Sequence, residues 1–549
     1  MQIVEALIEA LVRRGVSRVY GFPGEYELGL FERLEASPIE VICTAGEEGA
    51  GFAADVHARL HGLGVAVVTY GVGALKLLNP VAGAYVERSP LLVISGAPGV
   101  RESDENDLLH HRMRAGDTQL RFFQEVTAES AVLDSARTAG AELLKVLRAM
   151  QRDSRPGYLE LPRDCLTREI PWALDLAPTV PPLAIPESLR RQGEEQLAWL
   201  RSRRAPVVLA GVEVARFGLQ QALLQLLERE GWPVATSLSG KGVVPERHPL
   251  CLGIYEGAMS PAGVRARVEG SDGLVVLGMP LNDLDTGIFT MDLEDEHCLQ
   301  VEVGRGLRRG RLQNENLDPL TLLRIWTEAP GPAQRGAPAA AAPSLSGPPS
   351  FAPEAGRAIT VTRLMEAIDA SLPADGIVLA DPGDALFGSA ELHLQEASHH
   401  LSSAYWASLG FALPGAIGAW GARPDRLPVV LVGDGAFLMS CIELATLARY
   451  RIPALVIVLD NRGYGTERPM LDGPFNDVQP VDHRALAHSM GLAAAERVDT
   501  EETLWESLQR WQRHRTEPVL LSVALPPADT SPALQRLTAA LRSKVKGRP

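Results

Sequence analysis

Short apolar runs alternate with segments of helical length along most of the chain, and this alternation predicts the fold. In the first third, the runs lie at residues 19–22, 41–43, 65–71 and 91–98. Each is too short for a buried helix, so the pattern predicts parallel strands wrapped by helices. Similar runs follow at residues 206–214, 233–238, 273–278, 299–303, 427–432 and 454–460. The sequence therefore predicts an α/β protein with three doubly wound parallel-sheet domains.

Two stretches rich in proline divide these predicted domains. Residues 177–189 have the composition of an extended linker, and residues 329–357 are so rich in Pro, Ala, Gly and Ser that we expect no packed element there. The central part contains no clustered chemistry, which favours an architectural role, with a regulatory pocket as the alternative. We predict an N-terminal α/β domain (1–175), a central α/β domain (190–328), a linker (329–357), a C-terminal α/β domain (358–526) and a tail (527–549) that is a basic helix or disordered.

Bulk properties exclude several classes of protein. The chain has 549 residues, 46% of them apolar and 22% charged, which is typical of a globular protein with several domains. A net charge of -15 argues against nucleic acid as a partner. The five cysteines show no CxxC spacing, which predicts a reducing compartment and no zinc site. Acids in the N-terminal amphipathic segment argue against a signal peptide, and no apolar stretch approaches the roughly 20 residues of a spanning helix. We therefore expect a cytoplasmic protein without membrane contact.

Polar residues follow two of the predicted C-terminal strands at the points where those strands end. The run at 427–432 ends at Gly433-Asp434-Gly435, and the run at 454–460 ends at Asn461-Arg462-Gly463. A strand, helix, strand unit returns Asp434 and Asn461 to one sheet edge, where open α/β sheets bind ligands. Carboxylate, amide and Gly463 carbonyl oxygens suit a hard divalent cation. The sequence therefore predicts a magnesium ion that carries a diphosphate, with glycines that let the backbone approach.

This arrangement, GDG followed about 26 residues later by Asn with the tail NRGYGTE, resembles the thiamin-diphosphate motif of the pyruvate decarboxylase and acetohydroxyacid synthase superfamily. The resemblance covers nearly the whole chain and is greatest to the indolepyruvate and phenylpyruvate decarboxylases. It implies thiamin diphosphate and Mg²⁺ as cofactors, with Asp434, Asn461 and Gly463 as metal ligands. The cofactor-binding residues that it implies are Glu47, Asp384, Ala407, Leu409, Gly433, Asp434, Gly435, Ala436, Asn461, Gly463 and Tyr464.

Glu47 lies in GEEGAGFAAD, which is similar to the superfamily segment whose glutamate contacts the aminopyrimidine ring. A hydrogen bond to the ring nitrogen would favour the imino tautomer, whose exocyclic nitrogen removes the C2 proton. Glu48 fits instead a first-turn acid that offsets the helix dipole. The same resemblance implies that Leu409 lies beneath the bent cofactor and that the Ala407 carbonyl meets its exocyclic amine.

Four further residues complete the implied catalytic set. His110-His111, in DLLHH, is similar to the pair in pyruvate, indolepyruvate and phenylpyruvate decarboxylases, which acetohydroxyacid synthases lack; histidine suits proton transfer near neutral pH. Glu467 falls where those decarboxylases carry an active-site glutamate, and its alternative role is a loop acid neutralised by Arg468. Glu25 stands where the family usually has Asp, and its extra methylene puts the rate and substrate range in doubt. The implied catalytic residues are Glu47, Glu25, His110, His111 and Glu467.

Three features separate this chain from its relatives or serve as controls. His399-His400 lacks a matching motif, so we expect an exposed turn. Lys76 replaces a small or polar residue, and either meets a substrate carboxylate or extends along the surface into water. Thr466 stands where pyruvate-specific relatives have Ile, which implies a pocket for side chains larger than methyl. The implied substrate-pocket residues are Tyr70, Gly71 and Thr466.

The resemblance implies non-oxidative decarboxylation of a 2-oxo acid to an aldehyde and CO₂ through a thiamin-diphosphate ylide and enamine. Aromatic, branched or longer-chain substrates are expected over or alongside pyruvate. One alternative is a carboligase, similar to acetolactate synthase or benzaldehyde lyase, that forms 2-hydroxy ketones; another is a non-catalytic nucleotide-binding protein. A dinucleotide oxidoreductase is excluded, because no GxGxxG follows a predicted strand. Since Glu47 and the metal motif lie in different domains, the resemblance implies a site between two subunits of a homodimer, with a homotetramer expected.

Overall fold

A computed structural model describes residues 1–104, 109–172, 184–331, 350–394 and 400–545. Within these ranges the chain forms three sheets with helices on their faces. Short 3₁₀ turns occur at Gly257–Met259, Cys441–Glu443 and Pro474–Asn476. The predicted α/β class is confirmed.

The first sheet has six parallel strands in the order β2-β1-β3-β4-β6-β5. Its strands are β1 (Arg18–Gly21), β2 (Glu40–Cys43), β3 (Gly64–Val68), β4 (Leu91–Ala97), β5 (Glu129–Val132) and β6 (Gly157–Pro162). Its helices are α1 (Ile3–Val12), α2 (Leu28–Glu35), α3 (Glu47–His61), α4 (Val72–Lys76), α5 (Leu78–Val86), α6 (Val100–Asp104), α7 (Thr118–Gln124) and α8 (Ala139–Asp153). Every residue of β3 and β4 is buried, as expected for a sheet covered on both faces.

The second sheet has seven strands in the order β13-β12-β11-β10-β7-β8-β9. Its strands are β7 (Pro206–Ala210), β8 (Val234–Thr236), β9 (Cys251–Ile254), β10 (Gly273–Leu277), β11 (Cys298–Glu302), β12 (Gly306–Arg309) and β13 (Leu312–Asn314). Its helices are α9 (Glu187–Arg201), α10 (Glu213–Arg216), α11 (Gln220–Glu230), α12 (Ala262–Glu269) and α13 (Pro319–Glu328). The sheet is mostly parallel, but β12 and β13 extend it in antiparallel fashion.

The third sheet again has six parallel strands, in the order β15-β14-β16-β17-β19-β18. Its strands are β14 (Gly376–Ala380), β15 (His400–Ser402), β16 (Leu427–Gly433), β17 (Leu455–Asp460), β18 (Ala494–Val498) and β19 (Val519–Ala524). Its helices are α14 (Val361–Ser371), α15 (Asp384–Ser389), α16 (Ala412–Ala422), α17 (Asp434–Ser440), α18 (Leu444–Arg449), α19 (His483–Ser489), α20 (Glu501–Arg513) and α21 (Pro532–Val545). The C-terminal tail is thus helical, with Leu534 and Leu537 buried.

Helices α3 and α16 join the first and third sheets in one hydrophobic core. Glycines make their contact close: a Cβ on Gly418 would overlap the carbonyl oxygen of Ala53, and one on Gly415 would lie 3.0 Å from Cγ2 of Val56. Backbone therefore packs directly on backbone. This contact fixes the start of α3, where Glu47 lies, relative to the loop that precedes α16.

Two expectations from the sequence are wrong. His400 is buried in β15 rather than exposed in a turn, with its Nε2 2.9 Å from the Ser389 hydroxyl; burial holds the pKa of His400 well below its usual value. His399 lies outside the described residues. The end of the predicted linker is also packed, because the Phe351 ring lies against Trp505 at 5.4 Å, with the Arg363 guanidinium 4.3 Å from it. Residues 332–349 of that linker lie outside the described ranges.

One further global feature concerns membranes. No helix in the described part of the chain combines the length and the apolar character that crossing a bilayer requires.

Candidate active site

The three residues predicted to bind the metal lie together at the carboxyl edge of the third sheet. β16 ends at Gly433, and Asp434 begins α17. The Asp434 carboxylate accepts the Gly435 N–H at 2.8 Å and the Gly463 N–H at 3.2 Å, and the Asn461 side-chain oxygen accepts that same Gly463 N–H at 3.2 Å. Asp434 and Asn461 are both buried. The strand, helix, strand unit therefore makes the predicted cluster.

The chemistry of this cluster fits a divalent cation and a phosphate group. Burial raises the pKa of Asp434 to about 6, and the Asp460 carboxylate adds to the rise although the Gly435 amide opposes it. A buried carboxylate of this kind is stabilised by a cation. A Cβ on Gly433 would meet no atom within 4 Å, so that backbone borders open space. In the described ranges, no cluster of three His, Cys, Asp or Glu side chains offers a competing metal site.

The loop predicted to support the cofactor is held in an unusual conformation. Ala407 has a φ of 56°, a left-handed value that costs a residue with a side chain about 1–3 kcal/mol. His111 and Arg462, in the other two predicted parts of the site, share this feature with φ values of 66° and 58°. Such residues concentrate at functional sites. Leu409, two residues after Ala407, is half-buried.

Asp384 has a partner that the sequence did not indicate. Its carboxylate accepts the Ser531 N–H at 2.9 Å, so the side chain fastens the segment before α21. Burial raises the pKa of Asp384 to about 6. The preceding Gly383, with a φ of 103°, faces Thr466: a Cβ there would lie 3.4 Å from the Thr466 hydroxyl. The loop backbone, rather than the Asp384 side chain, faces the predicted substrate pocket.

Glu47 begins α3 with its side chain only 6% exposed. The Lys76 ammonium group lies 2.8 Å from Glu47 Oε2, while 60% of the Lys76 side chain remains exposed. Lys76 is therefore an ion-pair partner of Glu47, which neither interpretation from the sequence anticipated. Glu48 instead accepts a hydrogen bond from Asn79 at 3.0 Å.

Glu47 faces a cavity of about 770 Å³ that the first and third sheets share. Leu409, Met439 and Glu443 line its other side, and Glu443 accepts the Ala45 N–H at 3.1 Å. Met439 lies near the end of α17, the seven-residue helix that Asp434 begins. A helix of seven residues is about 10 Å long, so the cavity and the predicted metal site lie near opposite ends of α17.

The predicted residues of the first sheet form a second cluster. His110 Nε2 lies 3.0 Å from Glu25 Oε1, and the His110 and His111 rings meet edge to face at 4.6 Å. Tyr26 packs against His110 at 5.2 Å. The Nδ1 atom of His111 is buried with no hydrogen-bond partner among the described residues. The cluster also contains two predicted substrate-pocket residues: Tyr70, whose ring meets Tyr26 at 5.8 Å, and Gly71, where a Cβ would lie 2.6 Å from the His111 carbonyl oxygen.

Glu467 is not part of that cluster within one chain. It is exposed, and none of its described contacts reaches Glu25 or His110. Its alternative role, a loop acid neutralised by Arg468, is wrong, because Arg468 pairs with Asp472 at 3.0 Å and Asp477 at 2.7 Å.

Sequence reasoning missed Gln119, which positions the substrate-pocket backbone. This fully buried side chain accepts the Gly71 N–H at 2.6 Å and donates to the Ser95 hydroxyl at 3.0 Å and to the Tyr158 hydroxyl at 2.6 Å. No local sequence pattern identifies Gln119, because its partners lie in three places distant in sequence: before α4, in β4 and in β6.

Comparison with known proteins gives this geometry a family. Profiles described as "Thiamine pyrophosphate enzyme" match as the N-terminal TPP binding domain at residues 1–122, the central domain at 194–305 and the C-terminal TPP binding domain at 382–523. The chain is 34% identical to the indole-3-pyruvate decarboxylase of Azospirillum brasilense, with 98% of this chain and 97% of that protein covered. The chain belongs to the thiamine-pyrophosphate-dependent 2-oxo acid decarboxylase family.

Other members of this decarboxylase family agree over nearly the full length. The alpha-keto-acid decarboxylases of Mycolicibacterium paratuberculosis and Mycobacterium tuberculosis are 31% and 30% identical, each with 95% of this chain and 93% of the relative covered. The family predicted from the GDG and LLHH motifs is confirmed, as is thiamine pyrophosphate (thiamin diphosphate) as its cofactor.

Proposed function

We propose that this thiamine pyrophosphate enzyme decarboxylates 2-oxo acids whose side chains are larger than methyl, and that it releases an aldehyde and CO₂. One observation supports the proposal most strongly: His110 contacts both Glu25 and His111, and this cluster lies beside Tyr70 and Gly71. These groups can hold and move the proton that replaces the lost carboxylate. The names of the full-length relatives support the same reaction.

We assign the metal and cofactor sites to the residues that fit them. Asp434, Asn461 and the Gly463 carbonyl would hold Mg²⁺, with Gly433, Gly435, Ala436 and Tyr464 beside the diphosphate. Glu47 would hold the aminopyrimidine ring above Leu409, and the Ala407 carbonyl would accept its amine. When bound, thiamin diphosphate supplies the electron-accepting thiazolium of the reaction. The protein's part is to orient substrate and cofactor and to exclude water.

We assign the proton steps to the first-sheet cluster and to Glu467. Glu25 orients the His110 ring through their 3.0 Å contact, and the His111 Nδ1 atom, which has no hydrogen-bond partner in the described part of the chain, is available to a ligand. Glu467 and Thr466 lie on the loop after β17, where they would form the opposite wall of the substrate pocket. Gly465 adds no side chain beside Thr466, which supports a substrate pocket large enough for side chains bigger than methyl.

We propose a homodimer as the smallest active unit, and a tetramer of two such dimers as the expected assembly. In one chain, the Glu25 and His110 pair and Glu467 do not meet. Apolar side chains also remain more than half exposed near the Glu47 cavity: Val72 (52%), Met439 (55%) and Ile442 (51%). A second copy would bury them and bring the missing wall. Sedimentation with activity assays on dilution tests this, since a fully active monomer would contradict it.

A cytoplasmic location completes the proposal. All five cysteines are unpaired, which agrees with a reducing compartment. Fractionation of the native host, with detection of the untagged protein, tests this assignment.

The reaction itself can be tested directly. Purified protein with thiamin diphosphate and Mg²⁺ should release CO₂ from phenylpyruvate, indolepyruvate or branched 2-oxo acids faster than from pyruvate. Aldehyde should be the main product. A 2-hydroxy ketone as the main product would support the carboligase instead, and no turnover of any 2-oxo acid would refute the proposal. The Glu47→Gln variant should lose turnover, whereas Glu48→Gln, its exposed neighbour, should keep it.

A further inference from the structure

Glu27 is a buried carboxyl group to which the proposed mechanism assigns no task. It lies just before α2 with 1% of its surface exposed, and its side chain does not cap that helix. Neither carboxyl oxygen has a hydrogen-bond partner of acceptable geometry among the described residues. An ionised carboxylate in such surroundings is strongly unfavourable, so the neutral acid is the stable form.

Glu27 borders the Thr69 side chain at the edge of the first sheet. A Cβ on Gly24 would lie 2.7 Å from the Thr69 hydroxyl oxygen and 3.0 Å from Glu27 Oε1, so both groups border one small space that glycine leaves open. The Thr69 hydroxyl is likewise buried and unpartnered. A hydrogen bond between them, the interaction through which the Thr69 hydroxyl lowers the pKa of Glu27, satisfies both groups.

The Thr69 methyl group and Glu47 Oε1 border a second small space, beside Gly73. A Cβ on Gly73 would lie 2.9 Å from the Thr69 methyl group and 3.4 Å from Glu47 Oε1. Thr69 therefore stands between the two carboxyl groups and directly precedes Tyr70 and Gly71 of the substrate pocket.

Burial, rather than neighbouring charge, is the main reason that Glu27 keeps its proton up to about neutral pH. Burial raises the pKa of Glu27 to about 7, against the lowering effect of the Thr69 hydroxyl and the Gly24 amide. Glu47, on α3, is the ionisable group that adds to this rise, and Lys76 on α4 pairs with Glu47 rather than with Glu27. The remaining contacts, from the Gly24 loop and from Gly96 on β4, are backbone atoms.

We propose that Glu27 holds the proton that decarboxylation consumes and passes it through the Thr69 hydroxyl toward the substrate pocket. This inference rests on the proposed function. In the reaction, the bond between the 2-oxo carbon and the carboxylate breaks, CO₂ leaves, and a C–H bond forms with one proton. Glu27 becomes a carboxylate when it gives that proton, and a proton from water restores the acid. Glu25, two residues earlier in the chain, and His110 have side chains that are 50% and 53% exposed to that water.

Glu27→Gln tests the proposal, because glutamine keeps the shape of a neutral glutamic acid but gives up no proton. Infrared difference spectra of the cofactor-free protein should show a protonated carboxyl band that disappears on raising the pH through about 7. Glu27→Gln should lack the part of this band that Glu27 contributes, while the bands of Glu160, Glu213 and Asp381, whose pKa values burial also raises to about 7, remain. Glu256→Gln is the matched control: Glu256 is also buried with an unpartnered oxygen, and burial raises its pKa to about 8, but it lies in the central unit. It should keep the Glu27 band and the wild-type turnover.

Turnover separates a proton-holding role from a structural one. We expect kcat of the wild type to fall as the pH rises above about 7, and kcat of Glu27→Gln to be about 100-fold lower with that pH limb removed and KM nearly unchanged. Thr69→Val should lower kcat similarly while it keeps the infrared band. Wild-type kcat and an unchanged pH profile in Glu27→Gln would overturn the proposal.

These experiments distinguish failure of the Glu27 proposal from failure of the proposed function. If Glu27→Gln does not fold, wild-type turnover in Thr69→Val overturns the relay. If the wild type turns over no 2-oxo acid, the proposed function fails, whereas the infrared band still decides whether Glu27 carries a proton.

Discussion

Arg59 is the side chain whose removal should disturb this protein most clearly. Its guanidinium group, 1% exposed, lies 2.7 Å from the Asp55 carboxylate and 2.8 Å from that of Glu87, and it donates to the Ser402 carbonyl at 2.8 Å. Arg59→Met removes the guanidinium group that pairs directly with both buried carboxylates and leaves them only the longer-range interaction with Arg216. Removing one partner of a buried ion pair costs about 3–5 kcal/mol, so we expect a loss of at least that size in the free energy of unfolding.

The same substitution should also loosen the predicted cofactor loop. Glu87 accepts the N–H groups of Tyr405 and Trp406 at 3.0 and 2.9 Å, just ahead of Ala407 and Leu409. Without Arg59, Glu87 loses the cation that keeps its carboxylate favourable in a buried position. We therefore expect weaker binding of thiamin diphosphate in addition to the lower stability.

Urea unfolding followed by tryptophan fluorescence, on cofactor-free protein, measures the stability change. Arg121→Met is the matched control, because Arg121 and Asp117 form the same type of ion pair, one helical turn apart, with 57% and 60% of their side chains exposed. An exposed pair contributes about 0.5 kcal/mol or less. If Arg59→Met lost less than about 1 kcal/mol relative to this control, the reasoning about the buried ion pairs would be refuted.

Three further predictions concern the site and its charges. Lys76→Met should tighten binding of thiamin diphosphate by up to about fivefold in a fluorescence titration. The aminopyrimidine nitrogen can then bond to Glu47 without breaking the half-exposed ion pair between Lys76 and Glu47. Weaker binding would contradict this prediction. Asp434→Asn should abolish the Mg²⁺-dependent rise in melting temperature that the cofactor gives the wild type, and a retained rise would exclude Asp434 as a ligand. Glu256 has a folded pKa of about 8, above its unfolded value near 4.3, so the native state binds the extra proton and loses stability as the pH rises between these values. Glu256→Gln should therefore be less sensitive to pH in that window, and an equally steep loss would show that Glu256 is not responsible.

The grouping of Asp434, Asn461 and Gly463 at one sheet edge could be predicted from the sequence because its determinants are local. An apolar run and a glycine turn fix where a parallel strand ends, and the right-handed crossover then fixes which residues share an edge. β16 was expected at residues 427–432 and is observed at Leu427–Gly433, so Asp434 falls where the pattern placed it. The α/β fold follows from the same short-range signals.

What could not be predicted depends on partners that are distant in sequence. Arg59 and Ser402 are separated by 343 positions, and no sequence pattern near either residue predicts their contact. Glu27 has the sequence context of a surface acid before a helix, and it is buried by packing against residues distant in sequence, Thr69 and Gly96 among them. The β12 and β13 hairpin was missed because its strands, GLRR and LQN, lack apolar alternation.

The backbone contact between α3 and α16 has a mechanical consequence. No side chain separates Gly418 from Ala53, so the backbones of the two helices are in direct contact. We therefore expect α3 and α16 to move as one rigid unit. Glu47 begins α3, and Leu409 lies just before α16, so these two residues should move together. We therefore expect the distance between Glu47 and Leu409 of one chain to stay nearly constant when a substrate or a second copy binds.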